Sequence, residues 1–462
     1  MSKAKSITGG LSALAVALLG SASANEGEVP RGIPHLDHVF LIMMENHGYG
    51  QIINNPNEAY LNQLISAQKV NVARNYFAVG HPSLTNYLEI VGGSNFGVRS
   101  DNAPAWHSTT CTPNLATGIP NADNSAGLPL TNVVGSTGTI ITSTGPITID
   151  TGNICPIEGT GQDAATPAVD TWNEVTLPQF PYLADIDGIK YVAAATNIHG
   201  RTIADQLAHA GRSWKTYQES LPITGADGVN YSNGTASNLT NFSTLAPLTS
   251  SSVVQDYAAK HNPFVYFRSV QEGKGPDLSL ESVAGFDGAK GLYADLADGS
   301  VPSFSFIVPN QCNDQHGRGN ADAFCAFDYG VGTTGLTYGT QVGLNPGLIA
   351  QGDATIERLV TSIKASPTWN EGKNAIVIVW DENDYSGVSS LPSGGLFPRQ
   401  NQNTVVLTVE TNYQGGGIQS NAYYTHFSLL RTMEAGLGLP CLNHACDSGT
   451  PVMSDLFGGS GK

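Results

Sequence analysis

Three short apolar runs in this chain stop abruptly at polar residues: 39–44 at Glu45-Asn46, 304–308 at Pro309-Asn310, and 375–380 at Asp381-Glu382. Runs of this length without polar alternation are those of strands buried on both faces of a parallel sheet. Residues 191–195, 264–267 and 405–409 are read as further strands of the same sheet. Between them the spacing turns helical, at 203–210, closed by Gly211, and at 355–365, ahead of Pro367. The alternation predicts an α/β fold, with helices on both faces of a mostly parallel central sheet. Ligands of such sheets bind beyond the carboxyl ends of the strands, where the acidic and amide residues of this chain gather.

Residues 108–180 break the pattern, being rich in Gly, Thr, Ser, Asn and Pro, with one hairpin expected around 139–149. Residues 224–252 have similar composition, and both stretches read as loop insertions on a single domain spanning 25–462. At the other end, Lys3 and Lys5 precede an apolar stretch and Ala22-Ser23-Ala24 offers small residues for cleavage. Residues 1–24 are therefore expected to be a secretory signal peptide, and the protein to be exported, periplasmic or secreted. No later stretch approaches the roughly 20 apolar residues of a membrane helix.

The formal charge of −17, more negative still without the two leader lysines, disfavours nucleic acid and anionic membranes as partners. The six cysteines fall as sequence-near pairs, Cys111 with Cys155, Cys312 with Cys325 and Cys441 with Cys446, none with the CxxC spacing of a zinc site. Three local disulfides are the expectation, one of 15 connectivities that six cysteines allow.

The chemistry begins with Glu45-Asn46 and Asp381-Glu382, each directly after a buried strand. On neighbouring strands their oxygens can hold a hard divalent cation, without which such close carboxylates repel. Taken singly, each dipeptide is better read as a helix N-cap. The third element is Gly80-His81-Pro82-Ser83, where Pro82 keeps His81 extended and Ser83 opens a helix through about Ile90. A hydroxyl at a helix N-terminus lies where partial positive charge favours both an alkoxide and a bound phosphate. With a cation at Glu45 and Asp381, Ser83 needs no histidine base.

Asp314 and His316 sit in a dense polar run after the 304–308 strand, placed for a second metal or for phosphate oxygens. His316 could also protonate a leaving alkoxide, its unperturbed pKa being ~6.5. A polar surface turn is the competing reading. His426 opens a helix with buried apolar positions, and His81 stands two residues before Ser83; either histidine alone is more often packed or capping than functional. His47 is expected to point outward, and Asp384 to serve its loop. No serine lies in G-x-S-x-G, and neither H-E-x-x-H nor G-K-[ST] occurs, so esterase, zincin and NTPase schemes lose support.

Glu45-Asn46-His47, His81-Pro82-Ser83-Leu84 with Asn86-Tyr87, Asn313-Asp314 with His316-Gly317, and Trp380-Asp381-Glu382-Asn383-Asp384 together resemble the phosphoesterase family of secreted acid phosphatases and phospholipase C enzymes, within the alkaline phosphatase superfamily. Segments around 205–222, 261–264 and 426–434 resemble it too. The resemblance implies an α/β/α sandwich, alkaline phosphatase-like, with one metal ion held by Glu45, Asn46, Ser83, Asp381 and Glu382; oxygen-rich ligands suit divalent Mg, Mn or Ca, and a histidine would admit Zn. It also implies Ser83 as nucleophile through a phosphoseryl intermediate, with His316, His81 and His426 on the phosphoryl oxygens or the leaving group. Relatives with two metals build the second site from residues like Asp314, His316 and His426, but there a histidine follows the aspartate where this chain has Glu382, which favours one metal.

The leading expectation is an acid phosphatase-type phosphomonoesterase, with a small molecule or a phospholipid head group as the phosphate ester substrate. A phosphodiesterase or phospholipase C-like enzyme is the nearest alternative, disfavoured because such relatives more often carry threonine at the nucleophile position. A non-catalytic exported calcium-binding surface protein is a third. Its closely spaced Asp and Gly ligands are missing here.

Overall fold

The computed structural model describes residues 26–80, 83–96, 198, 200–221, 257–271, 273, 277–317, 346–383 and 403–459, with two strands at 138–142 and 145–149. The strands are β1 His38–Met44, β2 Asn71–Ala73, β3 Tyr76–Phe77, β4 Gly138–Thr142, β5 Gly145–Ile149, β6 Trp214–Gln218, β7 Val283–Gly285, β8 Phe304–Val308, β9 Asn374–Trp380, β10 Leu407–Thr411, β11 Gln419–Ser420 and β12 Tyr424–Thr425. The α-helices are α1 Tyr49–Ile52, α2 Ala59–Ser66, α3 Ser83–Gly92, α4 Ile203–His209, α5 Arg268–Gln271, α6 Leu292–Asp298, α7 Pro346–Ala365 and α8 His426–Leu437.

Eight strands form one sheet in the order β11-β2-β10-β9-β1-β8-β6-β7, in which β10 alone runs against its neighbours. The mixed α/β architecture with a mostly parallel sheet is as expected. Every residue of β8 and β9 is buried, as is β1 from Val39 onward, which is why these three strands read as predominantly apolar runs. The chain enters at β1, lays β8 on one side of it and, after α7, crosses to put β9 on the other. Such a reversal leaves a crevice at the carboxyl ends of the central strands.

Some elements differ from expectation. Residues 264–267, expected as a strand, lie in a 3-10 helix, Pro263–Tyr266, and its C-cap Phe267. Pro263 supplies a fixed φ and no N–H, which suits a first helical turn, and a four-residue apolar run fits a buried helix as well as a strand. Helix α7 begins at Pro346, nine residues before the expected start, and β10 begins at Leu407 rather than 405. The hairpin stands as β4 and β5, antiparallel, and Gly211 ends α4 with φ 68°. The Cys441–Cys446 disulfide is present, and Cys312 is disulfide-bonded. The expected strand at 191–195, the leader at 1–24, the rest of both insertions, and Cys111, Cys155 and Cys325 lie outside the described residues.

Candidate active site

Backbone pairing brings three polar strand ends together. Met44 is in register with Trp380 across β1 and β9, and the Asp381 N–H continues that ladder by donating to the Met44 carbonyl at 3.0 Å. On the other side the Glu45 N–H donates to the Asp314 carbonyl at 2.8 Å. Asn46 then turns the chain with φ 68°, a left-handed conformation that Asn tolerates better than most residues, and its N–H donates to Asp381 Oδ1 at 3.0 Å. The buried strands themselves thus fix the acidic residues beyond them.

Ser83 is the first residue of α3 and is buried. Its hydroxyl lies 3.1 Å from Glu45 Oε2 and 3.1 Å from Glu382 Oε1. One turn on, Asn86 locks the approach to the helix. Its Oδ1 accepts from the N–H groups of Val79 and Gly80, and its Nδ2 donates to the Gly80 carbonyl and, at 3.1 Å, to Glu382 Oε2. A first-turn hydroxyl also feels the partial positive charge of the helix N-terminus.

The opposite wall comes from a short 3-10 helix, Ala259–His261. His261 stacks on Tyr87 at 5.1 Å, with Nε2 at 3.0 Å from Glu45 Oε1 and Nδ1 at 3.5 Å from Asp314 Oδ2. Beside it, half-buried Lys260 brings Nζ to 3.5 Å from Ser83 Oγ. Sequence reasoning gave neither residue a role. His261 entered only as part of a family-like segment and Lys260 not at all, since nothing in the local pattern marks either one.

Burial dominates the electrostatics. It pushes the carboxyls of Glu45, Asp314 and Asp381 well above the usual range, Asp381 adding to the rise at Glu45, Glu382 to that at Asp381, and Glu45 to that at Asp314. Lys260 opposes the rise at all three.

Two histidines sit inside the framework. His426, buried, has Nε2 at 2.6 Å from the Asp381 carbonyl and Nδ1 at 2.8 Å from the Tyr76 hydroxyl. His47, expected to point outward, is instead fully buried, with Nδ1 at 3.1 Å from the Glu45 carbonyl. The turn that Asn46 makes sends its neighbour inward. Burial pushes both imidazoles down to about 4. His316 is half-buried; its N–H donates to Asp314 Oδ1 at 2.7 Å, and its ring centre is 6.1 Å from that of His261. His81 and Asp384 lie outside the described residues.

The donors fit a hard cation: they are oxygens, and Asp381 Oδ2 is buried without a hydrogen-bond donor. Among the described residues, no three His, Cys, Asp or Glu side chains converge as a ready-made metal centre.

A buried serine at a helix start, ringed by carboxylates at the switch point of a mostly parallel sheet, defines the class of α/β proteins that work in the crevice beyond the strand ends. The chain belongs to the Phosphoesterase family, which matches residues 55–324 and so includes Ser83, Lys260, His261, Asp314 and His316. It is 26% identical over 245 residues to an acid phosphatase of Aspergillus fumigatus, covering 52% of this chain and 40% of that protein. This chain therefore spans less than half of that relative's own length. It is 21% identical over 460 residues to a phosphatidylinositol-3-phosphatase of Mycobacterium tuberculosis, covering 99% and 94% of the two chains. Among solved structures, the phosphonate monoester hydrolase of Agrobacterium radiobacter aligns with 14% identity over 92% of this chain and 78% of that one, at a TM-score of 0.39.

Proposed function

We propose that the protein is an exported, metal-dependent phosphoric ester hydrolase of acid phosphatase type, using Ser83 as nucleophile on phosphomonoesters. The observation that carries this reading is the Ser83 hydroxyl, buried on the first turn of α3 with a carboxylate oxygen 3.1 Å away on either side. Family membership and the acid phosphatase relatives support it. In the proposed step the Ser83 Oγ–phosphorus bond forms as the bond from phosphorus to the leaving oxygen breaks. The hydroxyl proton passes to Glu45 or Glu382, and His316 gives a proton to the departing oxygen. Water then attacks the phosphoseryl group and gives a proton back to His316, while the departing Ser83 oxygen regains the proton held by Glu45 or Glu382, which releases phosphate and restores the site.

A single divalent cation held by Glu45, Asn46, Ser83, Asp381 and Glu382 would offset charge on the phosphoryl oxygens and lower the serine pKa. Asp314 orients His316 through the peptide contact at 2.7 Å, and His426 steadies the Asp381 carbonyl. Export is supported by the N-terminal pattern and by the Cys441–Cys446 disulfide. No described helix is long and apolar enough to cross a membrane. The relative that matches along nearly the whole chain is named for a phosphoinositide, which supports a lipid head group as one candidate for the leaving group.

The test is hydrolysis of a chromogenic phosphate monoester and its matching diester by purified protein, before and after chelation, beside Ser83→Ala. Expected are metal-dependent turnover that favours the monoester, and a loss of about 10³-fold or more in the variant. Full activity in Ser83→Ala would remove the serine from the mechanism.

A further inference from the structure

The site gathers four buried carboxylates, Glu45, Asp314, Asp381 and Glu382, yet its substrate in the proposed reaction is itself an anion. Lys260 is the described cation that acts on three of them. Its backbone is held by the residue that follows it. The following residue, His261, is stacked on Tyr87, its N–H donates to the Ala258 carbonyl at 3.0 Å, and its carbonyl accepts from Gln218 Nε2 at 3.2 Å. From that anchored base the side chain reaches to 3.5 Å from Ser83 Oγ. A group at this distance from the attacking oxygen is within hydrogen-bond reach of a non-bridging oxygen on the phosphorus to which Ser83 bonds. An ammonium there is a compact charge with three donors and no acceptor, suited to an oxygen that carries formal charge.

We propose that Lys260 is a substrate-binding residue that reads phosphoryl charge and favours a dianionic phosphomonoester over a monoanionic diester. This rests on Ser83 being the attacking atom. The second ionisation of a phosphate monoester lies near pH ~6, so at neutral pH the monoester presents one more charge than any diester. A lysine that served only to neutralise the carboxylates would matter equally to both substrates.

The experiment uses the full-length, metal-supplemented protein: wild type, Lys260→Gln, Lys260→Arg and Ser83→Ala. Substrates are 4-nitrophenyl phosphate and methyl 4-nitrophenyl phosphate, which share a leaving group and differ by one charge. In Lys260→Gln, kcat/KM for the monoester is expected to fall roughly 10- to 100-fold and for the diester by no more than about threefold. Lys260→Arg, which keeps the charge, is expected to restore most of the ratio. Equal losses on the two substrates, or an unchanged ratio, overturn the proposal.

Calorimetric titration with inorganic phosphate and with dimethyl phosphate gives a readout independent of turnover. Lys260→Gln is expected to lose about tenfold in affinity for phosphate and little for dimethyl phosphate. Should neither ester be hydrolysed, or should Ser83→Ala stay active, the reading of the reaction fails by itself. Equal phosphate affinity in wild type and Lys260→Gln then overturns the lysine's role.

Discussion

His426 spends both ring nitrogens within the fold, Nε2 against the Asp381 carbonyl and Nδ1 against the Tyr76 hydroxyl, and burial favours its neutral form. Its folded pKa of about 4 lies below the ~6.5 of an unfolded imidazole. As pH falls through 6.5 the unfolded chain takes up the proton first, so this histidine's share of stability is lost between about pH 6.5 and 4. His426→Gln is therefore expected to be less stable than wild type at pH 7, with the gap narrowing toward pH 4.5 in urea midpoints. A gap that stays constant would show that the imidazole does not remain neutral. Glu45, Ser83, Asp381 and Glu382 were legible as candidates because each sits where an apolar run ends or a helix begins, a purely local signal. Lys260 and His261 were not, because their significance is their distance from residues far away in the chain.

At the scale of elements, the turn after β8 is tied to two helices by a buried polar chain. Trp380 Nε1 donates to Gln315 Oε1 at 2.9 Å, and Gln315 Nε2 donates to Glu58 Oε2 at 2.6 Å. Asp353 of α7 accepts from the N–H groups of Tyr60 and Leu61 in the first turn of α2. Gln315 holds this place with φ 82°, and Gly352 leaves room for its side chain. Burial, then Asp353, push the Glu58 carboxyl well above its usual range. The unfolded carboxyl ionises near pH ~4.3 while the folded one resists, so Glu58 costs stability increasingly as pH rises above that value. Glu58→Gln mimics the protonated acid and is expected to raise the thermal midpoint at pH 7, an advantage that disappears by pH 4. A variant less stable than wild type at pH 7 would mean that Glu58 is ionised in the fold. The buried, predominantly apolar β1, β8 and β9 were readable from their runs. Short β2 and β7 and polar-rich β6 were not, since their pairing is set by neighbours rather than by their own pattern.

For the whole molecule, burial and mutual proximity raise the carboxyls around Ser83, a cost that the cation proposed for this site would relieve. Added Mg, Mn, Ca or Zn is expected to raise the unfolding temperature, by the equivalent of about 2.7 kcal/mol at 100 times the dissociation constant. Chelation is expected to reverse the rise, and Asp381→Asn to blunt it. An unfolding temperature indifferent to all four ions would remove the metal from the proposal.

By itself the sequence determined the α/β class, the central strands, the helix at Ser83 and the acidic strand ends, because burial on both faces and helix starts leave signals within a few residues. Only the tertiary structure decided which strand lies beside which, that 263–266 coils, that His47 turns inward, and that Lys260 and His261 close the wall opposite Glu45. The strand order and the wall opposite Glu45 depend on contacts between residues hundreds of positions apart. No local pattern of polar and apolar residues encodes them.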